Sequence, residues 1–224
     1  YGATRNDWDR RLDLVRFWDL VRRVTKPSAA VLCMATQPFA SALVTSNLRE
    51  FRYDLVWRKS KPTGFLNAKH RPLRAHEGLY VFYRRPPAYH PQWTHGHPPT
   101  HGFKRGAGQH TPNYGATAAW SQTGGDTVRY PTSVLDFASV GTTAPEKTPN
   151  PTQKPVDLVA SMIRTYTDPG ATVLDPVMGS GTTGEACRVT GRNFIGVELR
   201  SDEFARAAAR LRAAGMAVVP APPR

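Results

Sequence analysis

The segment TVLDPVMGSGTTGEA, residues 172–186, decides the fold of this chain. An apolar strand is predicted at 172–175, a glycine-rich turn follows it, and a helix is predicted at about 182–190. Glycines let the backbone approach a ligand closely, and a helix start offers unpaired N–H groups and positive dipole character to an anion. The candidate ligand-binding residues of this segment are Asp175, Pro176, Gly179, Ser180, Gly181, Thr182 and Thr183.

Two familiar phosphate-binding loops fit this segment poorly. A P-loop needs Gly-x4-Gly-Lys-Ser/Thr, whereas Gly184 is followed by glutamate and alanine, so the lysine is missing. Gly179, Gly181 and Gly184 do spell the dinucleotide pattern G-x-G-x-x-G. A pyrophosphate beside Asp175 would, however, be repelled in a partly desolvated loop. Too few residues also follow for the further strands of a two-halved dinucleotide domain.

S-adenosylmethionine fits the segment better. Its ammonium can face Asp175, and its carboxylate can meet the helix start at Thr182. The next predicted strand, 193–199, ends near Glu198, which lies 23 residues after Asp175. An acid at about that interval suits the ribose hydroxyls of a nucleoside cofactor. The sequence therefore predicts S-adenosylmethionine as the cofactor.

The order of the predicted elements indicates an α/β doubly wound sheet. Apolar periodicity predicts a helix at 10–24 with Leu14, Phe17, Val21 and Val24 on one face, and residues 51–57 are predicted to form a strand. The cofactor-binding strand comes late in the chain, so earlier strands must complete the sheet, as in a circularly permuted Rossmann-like sheet. We expect one domain over 1–224, with a loop-rich insert at 86–128 and a cofactor-binding segment at 150–214.

The charge of the chain points to a polyanionic partner or an acidic membrane surface. The 224 residues carry a formal charge of +13, and the pI is about 10.3. No apolar run approaches the length of a membrane span, no signal-like start is present, and the two cysteines are consistent with reduced structural residues. We therefore expect a cytoplasmic protein without a membrane span.

Cations cluster in one part of the sequence. From Leu55 to Gly125 ten lysines and arginines accompany a single acid, Glu77, and aromatic residues are interleaved with them. This composition suits phosphate contacts and base stacking. The spacing of His95, His97 and His101 does not match a structural zinc site, and we expect no metal. The candidate DNA-binding residues are Lys59, Lys61, Asn67, Lys69, Arg71, Arg74, Arg85, Lys104 and Arg105.

Several blocks resemble the permuted beta group of DNA adenine-N6 and cytosine-N4 methyltransferases, most of all the compact adenine-specific enzymes of phages and prophages. The matching blocks are YGAT with Trp8-Asp9, TGFLNAKHRPLRAHE (63–77), YPTSVLDF (130–137), PTQKP (151–155), DPVMGSGTTG and NFIGVEL.

The resemblance implies methyl transfer from S-adenosylmethionine to the exocyclic amino group of adenine in double-stranded DNA, by base flipping and direct attack. It places a catalytic Asp-x-Pro immediately before Tyr1, so we expect this chain to begin inside a longer protein. Tyr1 would be the ring that holds the flipped base. Thr152 and Lys154 would contact the cofactor carboxylate. A homodimer is a candidate assembly by the same analogy.

Two alternatives to the adenine enzyme stay open. A cytosine-N4 enzyme would differ mainly in the residue that replaces the upstream aspartate. A degenerate relative would bind DNA without binding the cofactor. Carbon-5 cytosine methylation is excluded, because neither Cys33 nor Cys187 follows a proline as the nucleophile of that chemistry would.

Overall fold

The computed structural model describes residues 12–105, 110–111, 115–116, 119–141, 143–144 and 146–219. The chain divides into two compact units: a main unit formed by residues 1–90 and 133–224, and a second unit, Pro91–Thr132. The second unit overlaps the insert that we predicted at 86–128.

The main unit alternates helices and strands. Its elements are α1 (Leu14–Val24), β1 (Val31–Ala35), α2 (Phe39–Thr45), β2 (Phe51–Thr63), β3 (Arg74–Phe82), β8 (Val134–Phe137), α3 (Val156–Tyr166), β9 (Thr172–Asp175), α4 (Thr182–Thr190), β10 (Asn193–Gly196) and α5 (Ser201–Ala213). A short 3-10 turn, Phe65–Asn67, lies between β2 and β3. The second unit contains β4 (Phe103–Arg105), β5 (His110–Thr111), β6 (Gly115–Ala116) and β7 (Trp120–Gln122).

Strand pairing in the main unit is mixed. The hydrogen-bonded order of the larger sheet is β1-β3-β2-β8. β3 runs antiparallel to both β1 and β2, whereas β2 and β8 are parallel. β9 and β10 form a separate parallel pair in which Asp175 lies opposite Gly196. Parallel strands joined through α4 place their carboxyl ends at one edge, where a ligand can bind.

Helices cover both faces of the larger sheet. Successive strand residues point to opposite faces, so Val81 packs toward Leu158 and Met162 of α3, while Phe82 packs toward Trp18 and Leu43 of α1 and α2. Both strand residues are fully buried. The sequence therefore folds as a helix–sheet–helix sandwich, as expected for a doubly wound α/β protein.

Helix α3 links the sheet to the C-terminal elements. Its Leu158 and Met162 contact the sheet core, whereas Ala160 and Ile163 pack on Ala186 and Cys187 of α4. Small residues at the α3–α4 contact let the two helices approach closely. The position of the glycine-rich loop before α4 is thus fixed by the same helix that covers the sheet.

Some predicted boundaries and faces were wrong. Val24 is exposed because α1 ends there, and Trp18 is the residue of that helix that enters the core. β10 ends at Gly196 rather than 199. β2 continues to Thr63, well past the apolar residues that predicted it. The apolar pattern does not detect the end of the strand because its last residues are polar and exposed.

The second unit is built from short antiparallel pairs and aromatic contacts. β4 pairs with β7, and β5 pairs with β6. Within it, the rings of Trp93 and Tyr130 lie 4.0 Å apart, and those of Phe103 and Trp120 lie 5.6 Å apart. Across all the residues described here, no helix is long and apolar enough to cross a membrane.

Candidate functional site

The glycine-rich loop connects β9 to α4 in a conformation that only glycine adopts easily. Gly179 and Gly181 have φ values of 49° and 78°, in the region that a Cβ disfavours. A Cβ on Gly184, one turn into α4, would lie 2.9 Å from Leu211 and Phe194 side-chain atoms. No side-chain hydrogen bond caps the start of α4 at Gly181. The loop therefore presents backbone to a ligand while the helix behind it packs tightly.

Asp175 is held at the carboxyl end of β9 by two hydrogen bonds. The backbone N–H of Val177 donates to Oδ1 at 3.0 Å, and the hydroxyl of Thr183 donates to Oδ2 at 2.6 Å. These bonds fix the carboxylate plane and leave lone pairs for a cation. The expected role of Asp175 toward an ammonium group fits this geometry.

Glu198 closes the other side of the loop. The N–H of Gly179 donates to its Oε2, and the N–H of Arg200 donates to its Oε1, both at 3.0 Å. Met178 N–H also donates to the carbonyl of Val197 at 2.9 Å. Hydrogen bonds therefore connect the two predicted carboxylates to the glycine loop at one edge of the β9–β10 pair.

Asn150 is a residue that sequence reasoning missed. Its amide nitrogen lies 3.1 Å from where a Cβ of Gly179 would be. Its Oδ1 accepts hydrogen bonds from the backbone N–H and the hydroxyl of Thr152, at 2.8 and 2.9 Å. Asn150, directly before the PTQKP block, thus lies beside the glycine loop, and the Thr152 hydroxyl helps to orient the Asn150 side chain.

Lys154 forms an ion pair within the chain. Its Nζ donates to Oε2 of Glu77 at 2.8 Å, and Lys59 Nζ lies 2.5 Å from the other oxygen of the same carboxylate. Burial raises the pKa of Glu77, but Lys154 and Lys59 outweigh it and hold that pKa below its ordinary value. Two lysines share one carboxylate, so the cluster keeps a net positive charge.

Arg210 of α5 is a second residue that sequence reasoning missed. Its Nη1 donates to the carbonyl of Ser180 at 3.0 Å and to the hydroxyl of Thr182 at 3.3 Å. Its Nη2 lies 2.5 Å from Oε2 of Glu185. Arg210 therefore holds the glycine loop from the α5 side. No local sequence pattern predicts this contact, because Arg210 lies 28 residues after Thr182.

A cavity of about 450 Å³ lies beside this arginine. Neither Asp175 nor Glu198 lines it, so it is distinct from the edge where the predicted cofactor residues meet. Its lining residues include Lys147, Thr148, Ser180, Glu185, Ala207 and Arg210.

The predicted DNA-binding residues fall into different environments. Lys59 is 8% exposed and ion-paired with Glu77. It is therefore a poor phosphate contact, and we remove it from the predicted DNA-binding residues. Lys104 is exposed on β4 of the second unit, where Arg105 ends the strand. Tyr1 lies outside the described residues. The predicted DNA-binding residues that are exposed in the main unit are Lys61, Asn67, Lys69, Arg71, Arg74 and Arg85.

Cys187 is a buried thiol, and Cys33 is partly buried. Burial raises the pKa of Cys33 and of Cys187 to about 12 in each case. A thiol with such a pKa is protonated at neutral pH and is a weak nucleophile. This agrees with the exclusion of chemistry that needs a cysteine nucleophile. In the described part of the chain, no group of three or more His, Cys, Asp or Glu side chains could hold a metal ion.

Comparison with known proteins matches nearly the whole chain to one family. A family model described as DNA methylase, of the N6/N4 methyltransferase type, matches residues 3–210. The DNA adenine methyltransferase YhdJ of Escherichia coli (strain K12) is 42% identical over 74 residues, 33% of this chain and 25% of YhdJ. The type II methyltransferase M.XycI of Xanthomonas campestris pv. cyanopsidis is 30% identical over 162 residues, 72% of this chain and 44% of M.XycI. The chain thus spans less than half the length of either curated relative.

The fold has counterparts among solved structures. The crystal structure of the M1.HpyAVI–SAM complex matches with a TM-score of 0.60 and 24% identity, over 92% of this chain and 86% of that chain. The likeness confirms the predicted Rossmann-like methyltransferase fold class.

Proposed function

The chain belongs to the DNA methylase family of N6/N4 methyltransferases, as its sequence blocks predicted, and we propose that it methylates the exocyclic N6 amino group of adenine in duplex DNA. The observation that carries the proposal is the pair of carboxylates, Asp175 and Glu198, held around one glycine loop at the ends of adjacent parallel strands. The adenine assignment is supported by similarity to a relative named as an adenine methyltransferase.

The residues present fit S-adenosylmethionine. Asp175 would bind the ammonium group, Glu198 the ribose hydroxyls, and the N–H groups at the start of α4, near Thr182, the carboxylate. Glycine at position 179 leaves a surface that a side chain would fill, 3.1 Å from Asn150. When bound, the cofactor supplies an electrophilic methyl group, which the adenine amino nitrogen accepts. Lys154 lies in the cationic cluster around Glu77 and has donors left for an anion.

The contribution of this chain to the chemistry is positioning and electrostatics. The carboxylates and the helix start would fix the donor, and a preorganised site makes direct transfer possible without a covalent intermediate. The target base must leave the duplex stack, and Tyr1 stays our predicted ring for holding it. The exposed cations Lys61, Lys69 and Arg71 would bind phosphates.

The proposal extends to the partners. Double-stranded DNA is the proposed substrate, and the second unit, Pro91–Thr132, is the proposed target-recognition insert. A cytoplasmic location and a homodimer belong to the same proposal by analogy with the family.

The deciding experiment incubates the full-length protein with methyl-labelled S-adenosylmethionine and duplex DNA, and then separates the methylated nucleosides. Label in N6-methyladenine is the expected result. Label only in N4-methylcytosine would refute the base assignment and support the cytosine-N4 alternative. Salt-sensitive DNA binding without calorimetric binding of S-adenosylhomocysteine would support the degenerate alternative.

A further inference from the structure

The β2–β3 hairpin extends beyond the rest of its sheet. β1 pairs with β3 over residues 78–82, and β8 pairs with β2 over 56–59. Residues 60–76, which we term the hairpin tip, come after those pairings, and every one of them is exposed. The tip is therefore a projection that the chain does not use for its own core.

The hairpin tip nevertheless has a defined backbone. Gly64 adopts a φ of 92°, and the following turn is closed by Asn67 N–H donating to the Gly64 carbonyl at 2.9 Å and Ala68 N–H donating to that of Phe65 at 2.9 Å. Arg71 N–H donates to the Asn67 carbonyl at 3.0 Å. These bonds hold the backbone of the two residues that follow Gly64, Phe65 and Leu66, at the end of the hairpin.

Those two side chains are large, apolar and solvated. Phe65 is 80% exposed and Leu66 is 95% exposed. A single exposed apolar residue needs no explanation, but two adjacent ones at the end of an ordered projection form a protruding apolar edge.

The hairpin tip also carries an excess of cations. Residues 60–76 contain Lys61, Lys69, Arg71 and Arg74 and no acid. The nearest acid, Glu77, is already shared by Lys59 and Lys154, so it does not neutralise the tip. The charge is complementary to a polyanion, and the proposed DNA substrate supplies one.

We propose that Phe65 and Leu66 form a wedge that enters the base stack of bound duplex DNA while the flanking cations hold the phosphates. Apolar side chains inserted between base steps unstack them, and cationic neighbours anchor the backbone on either side. The wedge lowers the cost of extruding the target base. This inference rests on the proposed function, because it assigns the tip a role in opening the same substrate.

The test compares two duplexes that contain the site methylated by the wild-type protein. One has the target adenine paired, and the other has it opposite an abasic position, where it is already unpaired. We expect the double variant Phe65→Ser/Leu66→Ser to lose about tenfold in methylation rate on the paired duplex and little on the opened one. With 2-aminopurine as the target base, the fluorescence increase on binding should fall in the same variant.

Two controls isolate the wedge. Leu48→Ser removes an apolar residue that is 64% exposed but lies outside the hairpin, and it should behave as the wild type does. Phe65→Trp keeps a large apolar ring and should retain the wild-type ratio between the duplexes.

Three outcomes would overturn the proposal in distinguishable ways. Absence of methyl transfer by the wild-type protein on any duplex would remove the proposed function and the wedge with it. Transfer by the wild type with equal loss, or no loss, on both duplexes for the double variant would remove the wedge alone. Loss of self-association in sedimentation, with an unchanged ratio between the duplexes, would identify the tip as an interface between copies.

Discussion

The glycine loop and the hairpin tip differ in where their functional groups find partners. In the loop, Asp175 and Glu198 each accept two hydrogen bonds from the same chain, and Arg210 holds the backbone from behind. In the tip, residues 60–76 are all exposed and carry their charges into solvent. A small ligand needs a site that is fixed before it arrives, whereas a large polyanion can be met by a charged projection.

The two regions consequently tolerate change differently. A side chain added at Gly184 would collide with Leu211 and Phe194, whereas one added at Gly64 would meet nothing within 4 Å and would be opposed only by the left-handed backbone conformation there. Substitutions near the loop should therefore alter stability together with ligand binding, while substitutions in the tip should alter only binding.

The largest effect is expected at the base of the hairpin, where the tip meets the interior. Glu77→Ala leaves Lys59, 8% exposed, and Lys154 without their shared carboxylate. We expect the free energy of unfolding to fall by about 3 kcal/mol, because an unpaired buried charge is costly. Urea denaturation measures it. Asp136→Ala, which breaks the exposed pair with Arg58, is the control and should cost less than about 1 kcal/mol. Equal losses would contradict the division between base and tip.

The same carboxylate predicts a pH dependence. The pKa of Glu77 is lowered in the folded protein from the ordinary value of 4.5 by Lys154 and Lys59, which overcome the opposing effect of burial. Its contribution to stability is therefore complete above about pH 4.5 and is lost as the pH falls through the lower folded-state pKa. The stability difference between the wild type and Glu77→Gln should be constant from pH 5 to 8 and shrink in acid. A difference that grows in acid would reverse the assigned direction.

Local signals explain which elements could be predicted from the sequence. The bounds of β9 and α4 were predicted correctly, because an apolar run, a glycine turn and a following helix are all encoded within 20 residues. The end of β2 was not, because the hydrophobic pattern stops at Trp57 while the strand continues with polar residues, which are all exposed from Ser60 onward. Apolar periodicity reports burial, and it is silent where a strand leaves the core.

Contacts between distant residues explain what the sequence could not predict. Lys59 and Lys61 are both lysines of β2, two residues apart. Lys59 pairs with Glu77 and is mostly buried, whereas Lys61 is exposed to solvent. Asn150 and Arg210 touch the glycine loop from segments about 30 residues away. Such partners are set by the packing of α3 and α5 and leave no pattern in the neighbouring sequence.

The next effect concerns the ligand side of the loop. Asp175→Ala and Glu198→Ala should each weaken binding of S-adenosylhomocysteine by about 2 kcal/mol, roughly thirtyfold, because each removes a charge-assisted contact. Isothermal calorimetry measures the affinity. Asp157→Ala, an exposed acid in the first turn of α3, should leave it unchanged. Unchanged affinity in both loop variants would break the assignment of this edge to the cofactor.

A smaller effect should separate two arginines of one helix. Arg210→Met removes the hydrogen bonds to Ser180 and Thr182 and leaves Glu185 unpaired. We expect a loss of about 1.5 kcal/mol in stability, with weaker cofactor binding. Arg206→Met, one turn earlier, breaks an exposed ion pair with Asp202 and a partly buried one with Glu203, and it should cost less than about 1 kcal/mol. Thermal unfolding with and without S-adenosylhomocysteine distinguishes them, and similar losses would show that Arg210 does not hold the loop.

The smallest effect on stability should come from the tip itself. Lys69→Ala/Arg71→Ala changes two exposed cations and should leave the free energy of unfolding within about 0.5 kcal/mol of the wild type. DNA binding should weaken for any sequence, and the slope of the logarithm of affinity against that of salt concentration should flatten by about 2, one for each lost phosphate contact. Binding titrations at several salt concentrations measure the slope. An unaltered slope would move the DNA to another surface, whereas a large loss of stability would show that the tip is held by interior contacts, as the glycine loop is.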